Sequence, residues 1–100
     1  MAFQIKNHDG VLNVHGALNS ENTQNLKLHF KSFLNEVDGL ILSLENVTTM
    51  EPCSALSLEQ IYLDFVRSNR VIRIIGRENG DIAGVMKTTK TSYILSDDRI

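Results

Sequence analysis

The residues best able to do chemistry fall in one stretch, Glu51, Pro52, Cys53 and Ser54, inside VTTMEPCSALSLEQIY. The stretch opens like the end of a buried strand and closes like an amphipathic helix, so these four residues form the joint. A helix start at the carboxyl end of a parallel strand gathers unpaired N–H donors and a positive partial charge, a place where α/β proteins hold anions or ligands. Thiols at such starts serve some proteins as nucleophiles or redox sensors. Cys53 is the only cysteine, so nothing can resolve an oxidised form, and a nucleophile would also need an adjacent base. His8, His15 and His29 fall in a turn, at a strand end and on a helix flank, and none has metal-ligand spacing. Cys53 therefore reads as a small buried thiol, Pro52 as a first-turn proline and Ser54 as a serine that caps or lines the turn. No glycine-rich phosphate loop or nucleophile elbow is present. The expectation is a protein that is not an enzyme and uses no cofactor or metal.

The elements that must position the joint follow from periodicity. Residues 3–7 and 11–14 alternate, with Phe3, Ile5, Leu12 and Val14 facing inward, and Asp9-Gly10 between them predicts an antiparallel hairpin. After Gly16 the period lengthens: Leu26, Phe30, Phe33, Leu34 and Val37 mark one face of a helix, capped by Asn19 or Ser20 and ended by Gly39. LILSL is short and nearly all apolar, as a central strand is. A second helix spans 53–69 with Ala55, Leu58, Ile61, Tyr62 and Phe65 inward, and VIRII is another buried strand. Ile82, Val85 and Met86 make a short third helix with Asp81 as its cap, and SYIL adds an edge strand. The order β-β-α-β-α-β-α-β predicts one α/β domain over residues 1–100: a mixed sheet of four to five strands, an N-terminal antiparallel hairpin and about three helices.

Composition narrows the class of partner. One hundred residues suit one core. Ten basic and twelve acidic residues without a basic block argue against nucleic acid, and the longest apolar runs are far too short to cross a membrane. The first ten residues lack the pattern of a signal peptide, and a single cysteine suits a reducing compartment, so the expected location is the cytoplasm.

Two segments resemble the STAS domains shared by bacterial anti-sigma factor antagonists and sulphate transporters. VHGALNSENTQNL is similar to that family's G-E-L-D-x-x-T-x-x-x-L, with Gly16, Leu18 and Leu26 in place, Asn19 where the family has Asp and Asn22 where it has Thr. LILSLENVTTMEPCSALSL is similar to its second strand-to-helix segment, through Leu42, Leu44, Val47, Met50 and Leu58. The resemblance implies a serine at the joint that the cognate anti-sigma kinase phosphorylates, the free form binding that kinase and releasing the sigma factor. Here the family's D-S-S-G reads Glu51, Pro52, Cys53 and Ser54, and proline cannot take phosphate.

The implied function is a regulatory protein-binding module that lacks the usual phosphorylatable serine. Its partner would be an anti-sigma factor or kinase-like regulator; the alternatives are a STAS subunit bracing the ATPase of an ABC-type lipid transporter, and a small-ligand or nucleotide sensor. Ser54 is the remaining phosphorylation candidate, and Glu51, Pro52, Cys53, Ser54, Leu56 and Leu63 are the candidate docking residues. Leu56 and Leu63 lie one heptad apart beside the core face. Leu28 projects away from Leu26, Phe30 and Phe33 and is expected in solvent or at an interface. The family usually continues further beyond its last helix than LSDDRI does, which leaves homodimerisation open.

Overall fold

The computed structural model describes residues 3–8, 10–33 and 39–95. Strand β1 (Gln4–His8) and β2 (Val11–Leu18) form the hairpin, followed by α1 (Ser20–Phe33), β3 (Gly39–Met50), α2 (Pro52–Arg67), β4 (Val71–Ile75) and α3 (Gly80–Thr88), with a final 3-10 turn over Ser92–Ile94. The sheet order is β1-β2-β3-β4. β1 runs antiparallel to β2, and β2, β3 and β4 run parallel to one another. Because β2, β3 and β4 advance in one direction across the sheet, right-handed crossovers put α1 and α2 on the same face.

That face holds the core. Leu12, Val14 and Leu18 of β2, Leu42 and Leu44 of β3 and Ile74 of β4 are buried against Leu26 and Phe30 of α1, Leu58 and Phe65 of α2, and Ile82 and Met86 of α3. Phe30 and Phe65 meet edge to face with centroids 5.9 Å apart, a contact worth about 0.5–1.5 kcal/mol beyond its buried area. The inward residues of the hairpin lie as expected: Leu12 and Val14 are buried, and Phe3 and Ile5 pack on the core's edge. Gly10 has φ +81°, which suits the turn, while Asp9 lies outside the described residues. Leu34, Val37 and the Phe33 side chain also lie outside them.

The elements depart from the sequence pattern at five points. β2 and β3 run four and six residues past their apolar cores, to Leu18 and Met50. Gly39 does not end α1 with a left-handed turn; it opens β3 opposite Val71. α2 begins one residue early, at Pro52, and stops at Arg67, with Asn69 in the left-handed region at φ +59°. SYIL is a 3-10 turn rather than a strand, and only Leu95 reaches the sheet, through a single parallel bridge to Ile74.

The fifth departure is the cap of α3, which is Asn79 and not Asp81: the Asn79 Oδ1 accepts from the Asp81 N–H at 2.9 Å. The reason lies in β3. β4 ends opposite Ser43, so β3 carbonyls beyond that point lose a neighbour, and buried carbonyls require donors. The Asn79 side-chain amide supplies them, donating to Leu44 at 2.8 Å and Val47 at 2.9 Å, which a carboxylate could not do. Gly76 permits the tight exit from β4: its φ is +149°, and a Cβ there would sit 3.1 Å from the Leu44 Cβ.

Candidate functional site

The joint forms where β2 and β3 end side by side, with α1 and α2 starting from them. Leu18 and Met50 are paired at the ends of the two strands. The Leu18 carbonyl then accepts two donors from the far side of the joint, the Glu51 N–H at 2.9 Å and the Ser54 hydroxyl at 2.9 Å. Thr23 Oγ1, on the first turn of α1, lies 2.8 Å from Ser54 Oγ and 2.6 Å from the Asn19 carbonyl, so its one proton serves either. Ser54 and Thr23 are both buried, at 0% and 2% exposure. The two helix starts are thus cross-linked beneath the surface by a pair of hydroxyls.

Above this layer Glu51 reaches backwards. As the residue preceding α2 its side chain accepts no capping bond from its own helix; its carboxylate instead accepts the Ser20 N–H of α1 at 3.0 Å. Asn19 caps the same helix, accepting from the Asn22 N–H at 2.8 Å, and the Asn22 amide donates to the Ala17 carbonyl at 3.0 Å. The positive end of α1 is therefore met by one neutral and one charged acceptor, the second contributed from 31 residues further along the chain. The Cys53 thiol lies 3.7 Å from the same Glu51 oxygen.

Of the six residues expected to form the docking surface, Glu51, Pro52 and Cys53 are exposed together at the joint, Leu56 is 51% exposed one turn on, and Leu63 is half-buried. Ser54 departs from the group, because its hydroxyl faces inward to Leu18. Cys53 is in solvent, contrary to the expected buried thiol, since the core positions of the first turn are taken by Ser54 and Ala55. Pro52 also forms one wall of an open groove whose other side is the outer face of α3, through Gly80, Asp81, Gly84, Val85 and Thr88. The exposed face of α2 continues through Val66, at 50%, and meets Tyr93, whose hydroxyl donates to Glu59 and whose ring stands edge-on to Tyr62. Glu59 beside it pushes the Tyr93 phenol above its ordinary pKa.

Among the described residues no group of three His, Cys, Asp or Glu side chains converges as a metal site would. None of their helices is long and apolar enough to cross a membrane. Sequence reasoning missed Thr23, the Glu51 contact to Ser20 and the role of Asn79. The first two join residues 31 apart through tertiary contact, which no local pattern encodes; Asn79, two residues before Asp81 in REN-GD, was available as a cap by residue type.

No family model matches the chain, and no curated protein does. Solved structures do match its fold. The anti-sigma factor antagonist SpoIIAA in its unphosphorylated form superposes with a TM-score of 0.68 at 14% identity, over 98% of this chain and 89% of that one. The protein TM1081 gives 0.71 at 23% identity, over 96% and 79%. An anti-sigma factor antagonist from Mycobacterium paratuberculosis gives 0.59 at 17% identity, over 87% and 80%. The likeness establishes the fold: the chain has the STAS architecture.

Proposed function

From the STAS fold as premise, we propose that this protein is a non-enzymatic, cytoplasmic regulator that binds a protein partner as anti-sigma factor antagonists do, and that it binds constitutively. The observation that carries the reading is the joint. Pro52 stands where the resemblance places the phosphorylated serine, and Ser54, the only hydroxyl in the first turn of α2, is buried behind the Leu18 carbonyl and Thr23. A kinase needs the hydroxyl in line with the γ-phosphate of ATP. Reaching Ser54 requires separating α2 from β2, so the fold opposes modification there.

The docking surface in this reading is the exposed run Glu51, Pro52, Cys53 with Leu56 and Leu63. Two leucines seven residues apart suit a partner helix or groove. The fixed Glu51 charge is held at the start of α1 by Ser20, which leaves the exposed start of α2 to the partner. Titration calorimetry of the purified protein against the histidine-kinase-like anti-sigma factors of its host tests the proposal. Saturable binding to one of them supports it; binding only to an ABC-type ATPase subunit would replace it with the transporter reading.

A further inference from the structure

Asn79 and Gly80 form the one Asn-Gly pair in the chain. Asparagine is among the chemically labile residues, and a following glycine, having no side chain, leaves its main-chain nitrogen open to attack the asparagine amide. The pair therefore carries covalent chemistry of its own. The fold uses Asn79 heavily and Gly80 little: an added Cβ on Gly80 would meet no described residue within 4 Å, and its φ lies outside the left-handed region.

In the folded chain that chemistry is held off. The Asn79 amide donates to the Leu44 and Val47 carbonyls at 2.8 and 2.9 Å, and its oxygen accepts from the Asp81 N–H at 2.9 Å. The Asn79 main-chain carbonyl accepts the Ile82 and Ala83 N–H groups, both at 3.2 Å. At ψ 103° the Gly80 nitrogen points away from the Asn79 side chain. Attack on Cγ requires turning ψ until the two eclipse, which swings the carbonyl off Ile82 and Ala83 and pulls the amide off β3. Ring closure thus undoes the first turn of α3, and a helix of nine residues without its anchor does not persist.

We infer that Asn79-Gly80 is a self-modification site gated by α3: the intact fold preserves the amide, and each opening of the helix exposes it to irreversible deamidation. Solvent base takes the Gly80 N–H proton, the nitrogen bonds Cγ, and the Cγ–Nδ2 bond breaks as ammonia leaves. Water then adds to either carbonyl of the succinimide and opens it to aspartate or isoaspartate, with no oxidant, reductant or cofactor. Neither carboxylate can donate to Leu44 and Val47, and isoaspartate also lengthens the main chain. The carbonyls at the end of β3 lose their donors, so α3 opens more readily afterwards. The modification is a one-way record of opening, written at a helix that walls the groove beside Pro52.

The test follows ammonia release and peptide mapping of residue 79 in the whole protein at mildly alkaline pH, folded or unfolded in guanidinium chloride. Conversion should be more than about tenfold faster in the unfolded chain, since opening must precede attack in the folded one. Gly84→Ala, within α3 but remote from the reacting bond, should slow conversion of the folded protein about two- to fivefold, the rate equivalent of alanine's helix preference over glycine, and leave the unfolded rate unchanged. Gly80→Ala should leave the fold intact and suppress conversion in both states. Converted protein, separated by ion exchange, should melt about 5 °C or more below the intact protein. Equal rates folded and unfolded, a folded rate indifferent to Gly84→Ala, conversion that survives Gly80→Ala, or an unchanged melting temperature after conversion would each overturn the assignment.

Discussion

The Ser54 hydroxyl donates to the Leu18 carbonyl at 2.9 Å and holds the start of α2 against the end of β2. This bond turns the one candidate phosphoacceptor of the joint into part of the fold. Ser54→Ala should cost about 1 kcal/mol, the net worth of a buried hydrogen bond, because Leu18 keeps the Glu51 N–H as its second donor. Ser54→Asp buries a carboxylate without a cation and should cost about 3 kcal/mol or more. Urea denaturation measures both; an Asp variant as stable as the Ala variant would show that the hydroxyl turns outward.

The strip on α2 is tested by Leu56→Asp with Leu63→Asp. Leu56 is 51% exposed and Leu63 half-buried, so the domain should remain folded by circular dichroism while partner binding is lost. Leu28 on α1, 65% exposed, is the control: Leu28→Lys should shift stability by less than about 0.5 kcal/mol and leave binding intact. Unfolding of the double Asp variant would assign the two leucines to packing instead.

Gly84 stands in the middle of α3 with nothing within 4 Å of an added Cβ and without a left-handed φ. Glycine costs a helix interior about 0.5–1 kcal/mol relative to alanine, and no neighbour among the described residues requires it. Gly84→Ala should therefore raise the thermal midpoint. If the partner also enters the groove between Pro52 and α3, the same variant weakens binding, which separates the two effects in one protein.

Tyr93 gives a pH dependence. Its phenol is held above the ordinary value of 10.0, first by the hydrogen bond to Glu59, then by lost solvation and by the charge of Glu59. A folded pKa raised above the unfolded one means that the folded state keeps its proton longer. The contact's contribution is then fully present below about pH 10, the unfolded value for tyrosine, and fades as pH rises through the folded value. Comparing melting temperatures of the wild type and Tyr93→Phe between neutral and strongly alkaline pH checks this: the wild type's advantage should shrink as pH rises, and an advantage constant across the range would contradict it.

The apolar periodicities were enough to place both parallel crossovers, the hairpin and the inward faces of Leu26, Phe30, Leu58 and Phe65. These signals are local, because a helix or strand buries one face whatever lies elsewhere. The strand lengths were not legible: residues 45–49 of β3 are mostly exposed and polar, and the strand persists there through pairing with β2 and through Asn79, both remote in sequence. The joint was found from residue types, yet the inward turn of Ser54 depends on Leu18 and Thr23, 36 and 31 residues away. Likewise SYIL has strand composition, but Tyr93 engages Glu59 and Tyr62 of α2 and the segment closes as a 3-10 turn.

The central claim, constitutive binding without a serine switch, meets its most direct test in a phosphorylation challenge. The purified protein is incubated with its anti-sigma kinase partner and either ATP or ADP, and intact mass and complex formation are followed in the same samples. The account predicts no added phosphate and equal amounts of complex with either nucleotide. Stoichiometric phosphate at Ser54, Thr48 or Thr49, with the complex lost only in ATP, would contradict it.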